Sequence, residues 1–221
     1  MARKSKLAGA LIVLFLFSLA CSDFLPGRDI PDESTIPSGG VLFEDDFSET
    51  SSGWDRYQED DGITDYADDA YRILVNEPNS DYWTNPYLNF TDVIIEVDAT
   101  KNAGPDDNDF GVICRYQDTE NFYYLIISSD GFYGIFKVKD GVQEIVQMEF
   151  MDYSSVINQG RSTNNIRGDC IGDRLSLFVN GQLLVQSSDP DFTSGDVGLI
   201  AGTFGTPGTD ILFDNFSVIK P

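Results

Sequence analysis

The chain has 221 residues, no histidine, and 37 acidic against 14 basic side chains, a formal net charge of −23 at pH 7. The lack of histidine excludes Ser-His-Asp hydrolysis and His-ligated zinc, and so acidic a chain is repelled by nucleic acid and anionic lipid headgroups, so neither is expected as a partner. A hydrophobic share of 41% with 13% aromatic residues excludes a wholly disordered polypeptide.

Residues 1–21 read as a targeting segment. Arg3, Lys4 and Lys6 form a positive start, and residues 7–20 form an apolar run too short to be a good membrane span. The run ends Ser18-Leu19-Ala20-Cys21. This resembles a bacterial lipoprotein signal, in which the cysteine after a small residue becomes the lipidated first residue; Ser18 stands where such signals usually carry leucine. The resemblance implies a chain lipid-anchored through Cys21 to the outer face of the bacterial cytoplasmic membrane or the cell surface, with the anchor its sole membrane contact. Ser18-x-Ala20 also satisfies an ordinary small-x-small cleavage site, so a secreted chain or an uncleaved anchor stays open. Lipidation of Cys21 leaves Cys114 and Cys170 as an even pair in an exported protein. Each sits in a strand-like run, and they are expected to bridge; two buried free thiols are the other reading.

Residues 22–40 hold three Pro, three Gly and several charges without periodicity. They read as a flexible linker that, stretched out, spans up to roughly 60 Å. One domain is expected over residues 41–221, a length able to bury a sizeable core. Strands are predicted at 41–48, 70–75 and 93–99, the last with Val93, Ile95 and Val97 alternating against Ile94, Glu96 and Asp98. Residues 58–69 are acidic and read as a loop; 81–83 lead into another loop at Asn85-Pro86. Residues 110–138 form the centre: three strands, 110–116, 122–128 and 132–138, with a tight turn at Ser129-Asp130-Gly131. Both faces of the middle strand are apolar, with Phe122, Tyr124 and Ile126 on one side and Tyr123, Leu125 and Ile127 on the other. Such a strand is covered on both sides, or one face lines a binding groove. A further strand is predicted over 142–150, irregular structure over 151–162, and strands at 165–171, 174–179, 182–186, 196–201 and 211–219. Asn180-Gly181 is the strongest hairpin signal. About a dozen short strands and no convincing helix beyond the targeting segment mark an all-β sandwich or jelly roll.

These residues also carry a resemblance. DDFS…GW near the start, FGVICRYQDTENFYYLIISSDGFYGIFK in the middle, IRGDC and LSLFVNGQLL later, then GDVGLIAG and FDNFSV resemble a concanavalin A-like jelly-roll β-sandwich. More narrowly, they are similar to the 3-keto-disaccharide hydrolase (family 16 glycoside-hydrolase-like) domain found in bacterial lipoproteins. That superfamily includes lectins, glycan hydrolases and structural spacers, so the fold leaves the function open.

Three chemistries are weighed. Retaining glycoside hydrolysis needs two carboxyls about 5 Å apart. Glu96 and Asp98 match the first half of the family 16 Glu-x-Asp-x-x-Glu strand, but Lys101 stands where the acid/base glutamate belongs. A structural Ca²⁺ is expected on Asp46 and Asp214 if the first and last strands pair; the acidic run 106–109 lacks the spacing and glycine of an EF-hand loop. Sugar binding would use exposed aromatic faces with a few fixed polar groups, and Trp54, Trp83, Arg115 and Tyr123 are the candidates. The expected function is a cell-surface glycan-binding module, marked by an aromatic groove without a carboxylate pair. A glycoside hydrolase, with two acids converging in the groove, and a structural or protein-interaction domain are the alternatives.

Overall fold

The structure, a computed structural model, describes residues 33–221. The targeting segment, Cys21 and the first part of the expected linker lie outside the described residues. A 3₁₀ turn, Glu33–Thr35, precedes sixteen strands: β1 (Val41–Asp45), β2 (Tyr57–Glu59), β3 (Gly62–Ala67), β4 (Ala70–Val75), β5 (Ser80–Thr84), β6 (Val93–Ala103), β7 (Asn108–Asp118), β8 (Asn121–Ile127), β9 (Phe132–Lys139), β10 (Val142–Ile145), β11 (Asp152–Tyr153), β12 (Thr163–Ile171), β13 (Arg174–Val179), β14 (Gln182–Ser188), β15 (Asp196–Thr203) and β16 (Thr209–Ile219).

They build two antiparallel sheets. The nine-stranded sheet runs β14-β13-β12-β6-β16-β4-β3-β2, with β1 also on β16; the seven-stranded sheet runs β10-β9-β8-β7-β15-β5, with β11 also on β9. The main core lies between them. It takes Val93, Ile95, Val97 and Ala99 from β6, and Val112, Tyr123, Leu125 and Leu199 from the facing sheet. Alternation settles this on β6, where the opposite parity is Ile94, Glu96, Asp98 and Thr100. The β13–β14 hairpin turns at Asn180 and Gly181, both at positive φ, as its two-residue loop requires. Cys114 of β7 and Cys170 of β12 are disulfide-bonded, which joins the two sheets covalently as the cysteine count led us to expect.

Residues 81–83, expected to lead into a loop, lie in β5, the strand expected over 142–150 ends at Ile145, and two further stretches depart from the sequence reading. Residues 58–69 contain β2 and β3, with register Ile63↔Leu74 and Asp65↔Arg72 to β4. Their acidic composition belongs to the turns, where Asp68 and Asp69 adopt positive φ, and the strands form because β4 offers an edge to pair with. The end of the expected linker is held against the domain. Ile36 packs on the core, and Lys220 Nζ donates to Glu33 O at 2.6 Å and Ile36 O at 2.7 Å. Backbone bonds Gly39 N to Lys220 O and Lys220 N to Gly40 O close the same junction.

Candidate functional site: an aromatic face with a carboxylate pair

The seven-stranded sheet is apolar on its outer side as well. Ile113, Phe122, Tyr124, Ile126 and Ile200 form a second buried cluster there, with Trp83, Tyr116, Phe136, Val138 and Met151 packed on it. The rings make a continuous row. Trp83 and Tyr116 lie 5.6 and 5.5 Å from Phe122, Phe122 lies 5.8 Å from Tyr124, and Tyr124 stacks on Phe136 at 5.1 Å. Of the two ways the central strands could face, Phe122, Tyr124 and Ile126 point out and Tyr123, Leu125 and Ile127 point in.

At one end of the row is a hollow of about 180 Å³, lined by Asn79, Asp81, Asp109, Tyr124, Phe136, Gln143 and Phe204 among others. Its floor follows from register. Gly202 of β15 pairs with Asp81 of β5 on one side and Asp109 of β7 on the other. Lacking a side chain, Gly202 lets both carboxylates lean over it. A Cβ at Gly202 would come 2.0 Å from Asp81 Oδ1 and 2.7 Å from Asp109 Oδ2, so these oxygens lie within about 5 Å of each other. Asp109 is 4% exposed, and its Oδ1 has no hydrogen-bond partner. Burial, then the charge of Asp81, push the Asp109 carboxyl well above its ordinary range. Burial raises Asp81 to about 6. None of the residues lining the hollow is cationic. Gln143 Nε2 donates to Tyr124 Oη, which fixes the phenol at the wall.

Of the four candidate sugar-binding residues, Trp83 stands part-exposed on the outer aromatic face and the other three point elsewhere. Trp54 is 4% exposed; it packs on Phe47, Tyr71 and Phe216 and donates from Nε1 to Asp45 Oδ2 at 2.9 Å. A ring enclosed in this way has no face to offer a ligand. Arg115 sits in a bulge at φ 54°, which turns its guanidinium away from the outer face to Phe192 O at 2.7 Å and Asp92 at 3.4 Å. Tyr123 points into the core, where Oη donates to Asp189 Oδ1 at 2.5 Å.

Glu96 and Asp98 occupy the outer side of the other sheet. Glu96 faces Arg167 at 3.7 Å, and Asp98 accepts from Asn165 and Asn215, so they form no catalytic pair in the aromatic face. The first and last strands do pair, with Asp45 opposite Phe216. Asp46 turns back to Ser48, Asp214 accepts from the Asn215 amide, and the hollow that Asp46 lines does not include Asp214. Among the described residues, no three His, Cys, Asp or Glu side chains form a metal-holding group.

Sequence reasoning missed Asp81, Asp109, Gly202, Tyr124 and Phe136 as a site. The available signal was parity: Asp81-x-Trp83 on β5, Asp109-x-Gly111 on β7 and Gly198-x-Ile200-x-Gly202 on β15. It becomes legible only once these strands are known to be neighbours.

No protein-family model matches the chain, and no curated protein matches it. Solved structures do. A carbohydrate-binding module, CBM66 from Bacillus subtilis, superposes with TM-score 0.62 at 16% identity, over 76% of this chain and 96% of the other. A Bacillus subtilis protein of unknown function with a galectin-like fold gives TM-score 0.60 at 12% identity, over 83% and 97%. The GH43 BlXynB protein from Bacillus licheniformis gives 0.59 at 12% identity, over 80% of this chain and 39% of that one. At such identities the likeness is one of fold. The chain is an all-β, concanavalin A-like jelly-roll β-sandwich.

Proposed function

We propose that the outer face of the seven-stranded sheet binds glycan, and that the protein works as an exported, lipid-anchored glycan-binding module at the cell surface. The observation that carries this reading is the part-exposed rings of Trp83, Tyr116 and Phe136, standing on the buried Phe122 and Tyr124, beside a hollow whose polar groups are two carboxylates, two amides and the hydroxyls of Tyr124 and Thr203. Sugar rings lay their C–H faces on aromatic rings and give their hydroxyl protons to fixed acceptors. The hollow is small beside the roughly 300–1,000 Å³ of drug-sized pockets, which suits one sugar ring entering from a chain lying along the row. The name of the CBM66 neighbour points the same way.

Hydrolysis is the second reading, because two acids do converge on this face, which is the feature expected of a hydrolase. Retaining hydrolysis sets its carboxyls on either side of the scissile bond, about 5 Å apart. Asp81 and Asp109 lean over Gly202 with oxygens within about 5 Å of each other, a spacing retaining hydrolysis also uses, so release of cleaved sugar is the readout that separates the two readings.

The test is a glycan array probed with the whole chain and its Trp83→Ala and Phe136→Ala variants, whose rings are part-exposed. Binding that falls about tenfold in each variant supports the face. A blank array shifts the function to a structural or protein-interaction role. Release of reducing ends from a bound glycan, lost in Asp81→Asn, would favour the hydrolase.

A further inference from the structure

We propose that the hollow over Gly202 selects a cationic amino sugar, a pyranose whose ammonium group seats between Asp81 and Asp109. The inference deepens the glycan-binding reading and rests on it. Its first ground is the buried Asp109 Oδ1, which lines the hollow with no donor. A buried carboxylate oxygen without a partner is costly, and what it lacks is an N–H or O–H group supplied from the hollow. The second ground is the neighbouring Asp81 carboxylate, which leans over the same glycine. Two like charges this close repel; burial holds the Asp81 carboxyl above its ordinary range, and burial with the charge of Asp81 does the same to Asp109. One cation relieves both, and an ammonium brings three donors to share between them.

Among the described residues, no cation fills that role. None lines the hollow. Lys101 is paired with Asp106, Arg72 with Asp210, and Lys137 with Glu144, Asp189 and Asp191.

The walls favour a sugar-borne ammonium over a bare metal ion. Ca²⁺ takes six to eight oxygens, whereas Tyr124, Ile126, Phe136 and Phe204 surround the acids largely with carbon. Those surfaces match the C–H face of a pyranose. The net charge of −23 acts in the same direction at long range, attracting a polycationic glycan and repelling uronate polymers.

The experiment is titration calorimetry of the whole chain, in mild detergent with EDTA, against a β-1,4-linked glucosamine tetramer and its fully N-acetylated counterpart. It is run at about pH 6, where the amine is charged. The glucosamine tetramer is expected to bind at least about tenfold tighter. That preference should vanish in Asp109→Asn and persist in Asp98→Asn, a control on the opposite sheet. Should Asp109→Asn fail to fold, Asp81→Asn on the edge strand takes its place. Equal binding of the two tetramers, or a preference that survives the Asn variant, overturns the proposal. A preference lost equally in Asp98→Asn overturns it as well, by reducing it to overall charge. So does binding that appears only when Ca²⁺ replaces the EDTA and is abolished by Asp109→Asn, which gives the pair to a metal. If neither tetramer binds while the array shows neutral glycans bound, the amino-sugar inference alone falls; a blank array removes the glycan reading with it.

Discussion

Asp81→Asn should stabilise the protein at neutral pH and leave it unchanged in acid. The folded state raises this carboxyl from the ordinary 3.8 to about 6, so folding favours the protonated form. The contribution is therefore fully present below about pH 4 and is lost as pH rises through about 6. A shift of about two units corresponds to about 3 kcal/mol once both states are ionised. Solvent reaching the half-buried side chain, and the proton shared with Asp109, reduce this to about 1–2 kcal/mol. For a domain of this size that is a rise in Tm of about 3–6 °C near pH 7.5. The assay is thermal melting of wild type and variant from about pH 4 to 8. The wild type should lose stability across the upper half of that range and the variant should lose less. A variant no more stable than wild type near pH 7.5, with a parallel pH profile, would refute the claim that the fold holds the Asp81 carboxyl where burial disfavours its charge.

Replacing Cys114 and Cys170 together by Ala removes a link spanning 56 residues; by loop entropy the cost is about 4 kcal/mol, read as a lowered urea midpoint with a steeper slope, because the unlinked denatured chain exposes more surface. Gly202→Ala puts a methyl against Asp81 Oδ1 and Asp109 Oδ2; it should cost about 1–3 kcal/mol and abolish glycan binding at temperatures where the variant is still folded. Trp54→Phe removes the Nε1 donor to Asp45 and should cost about 1–3 kcal/mol with glycan affinity unchanged. Trp83→Ala on the edge strand should do the reverse, lowering affinity about tenfold with little change in Tm.

The fold was legible because its signals are local. Asn180-Gly181 and Asp140-Gly141 specify hairpins through backbone sterics alone, and the alternation on β6 states which parity is buried. The site was harder to see because it is made by neighbours across a sheet. Asp81, Asp109 and Gly202 lie far apart in sequence and meet only through the β5-β15-β7 order. On β8 both parities are apolar, so hydrophobicity carried no information about which side faces the ligand. Arg115 failed for a different reason: simple alternation gave it the same parity as Gly111 and Ile113, and a single residue at positive φ reversed it. The acidic run 106–109 looked like one cluster, yet Asn108 accepts from the Ser129 amide while Asp109 joins the pair over Gly202.

The Cys114–Cys170 link has a mechanical meaning when the protein is held at its N-terminal end and a polymer is pulled from its aromatic face. The backbone ladders run within each sheet, so tension crossing from one sheet to the other would otherwise load the packed apolar layer and a few side-chain bonds such as that from Tyr71 Oη to Thr84 Oγ1. The disulfide gives that tension a covalent route. From β7 it passes to β12, then by continuous ladders through β6 and β16 to β1 and the segment clasped by Lys220. In the oxidised protein the aromatic face and the N-terminal segment are covalently linked through the ladders, and tension applied between them does not peel the sandwich open.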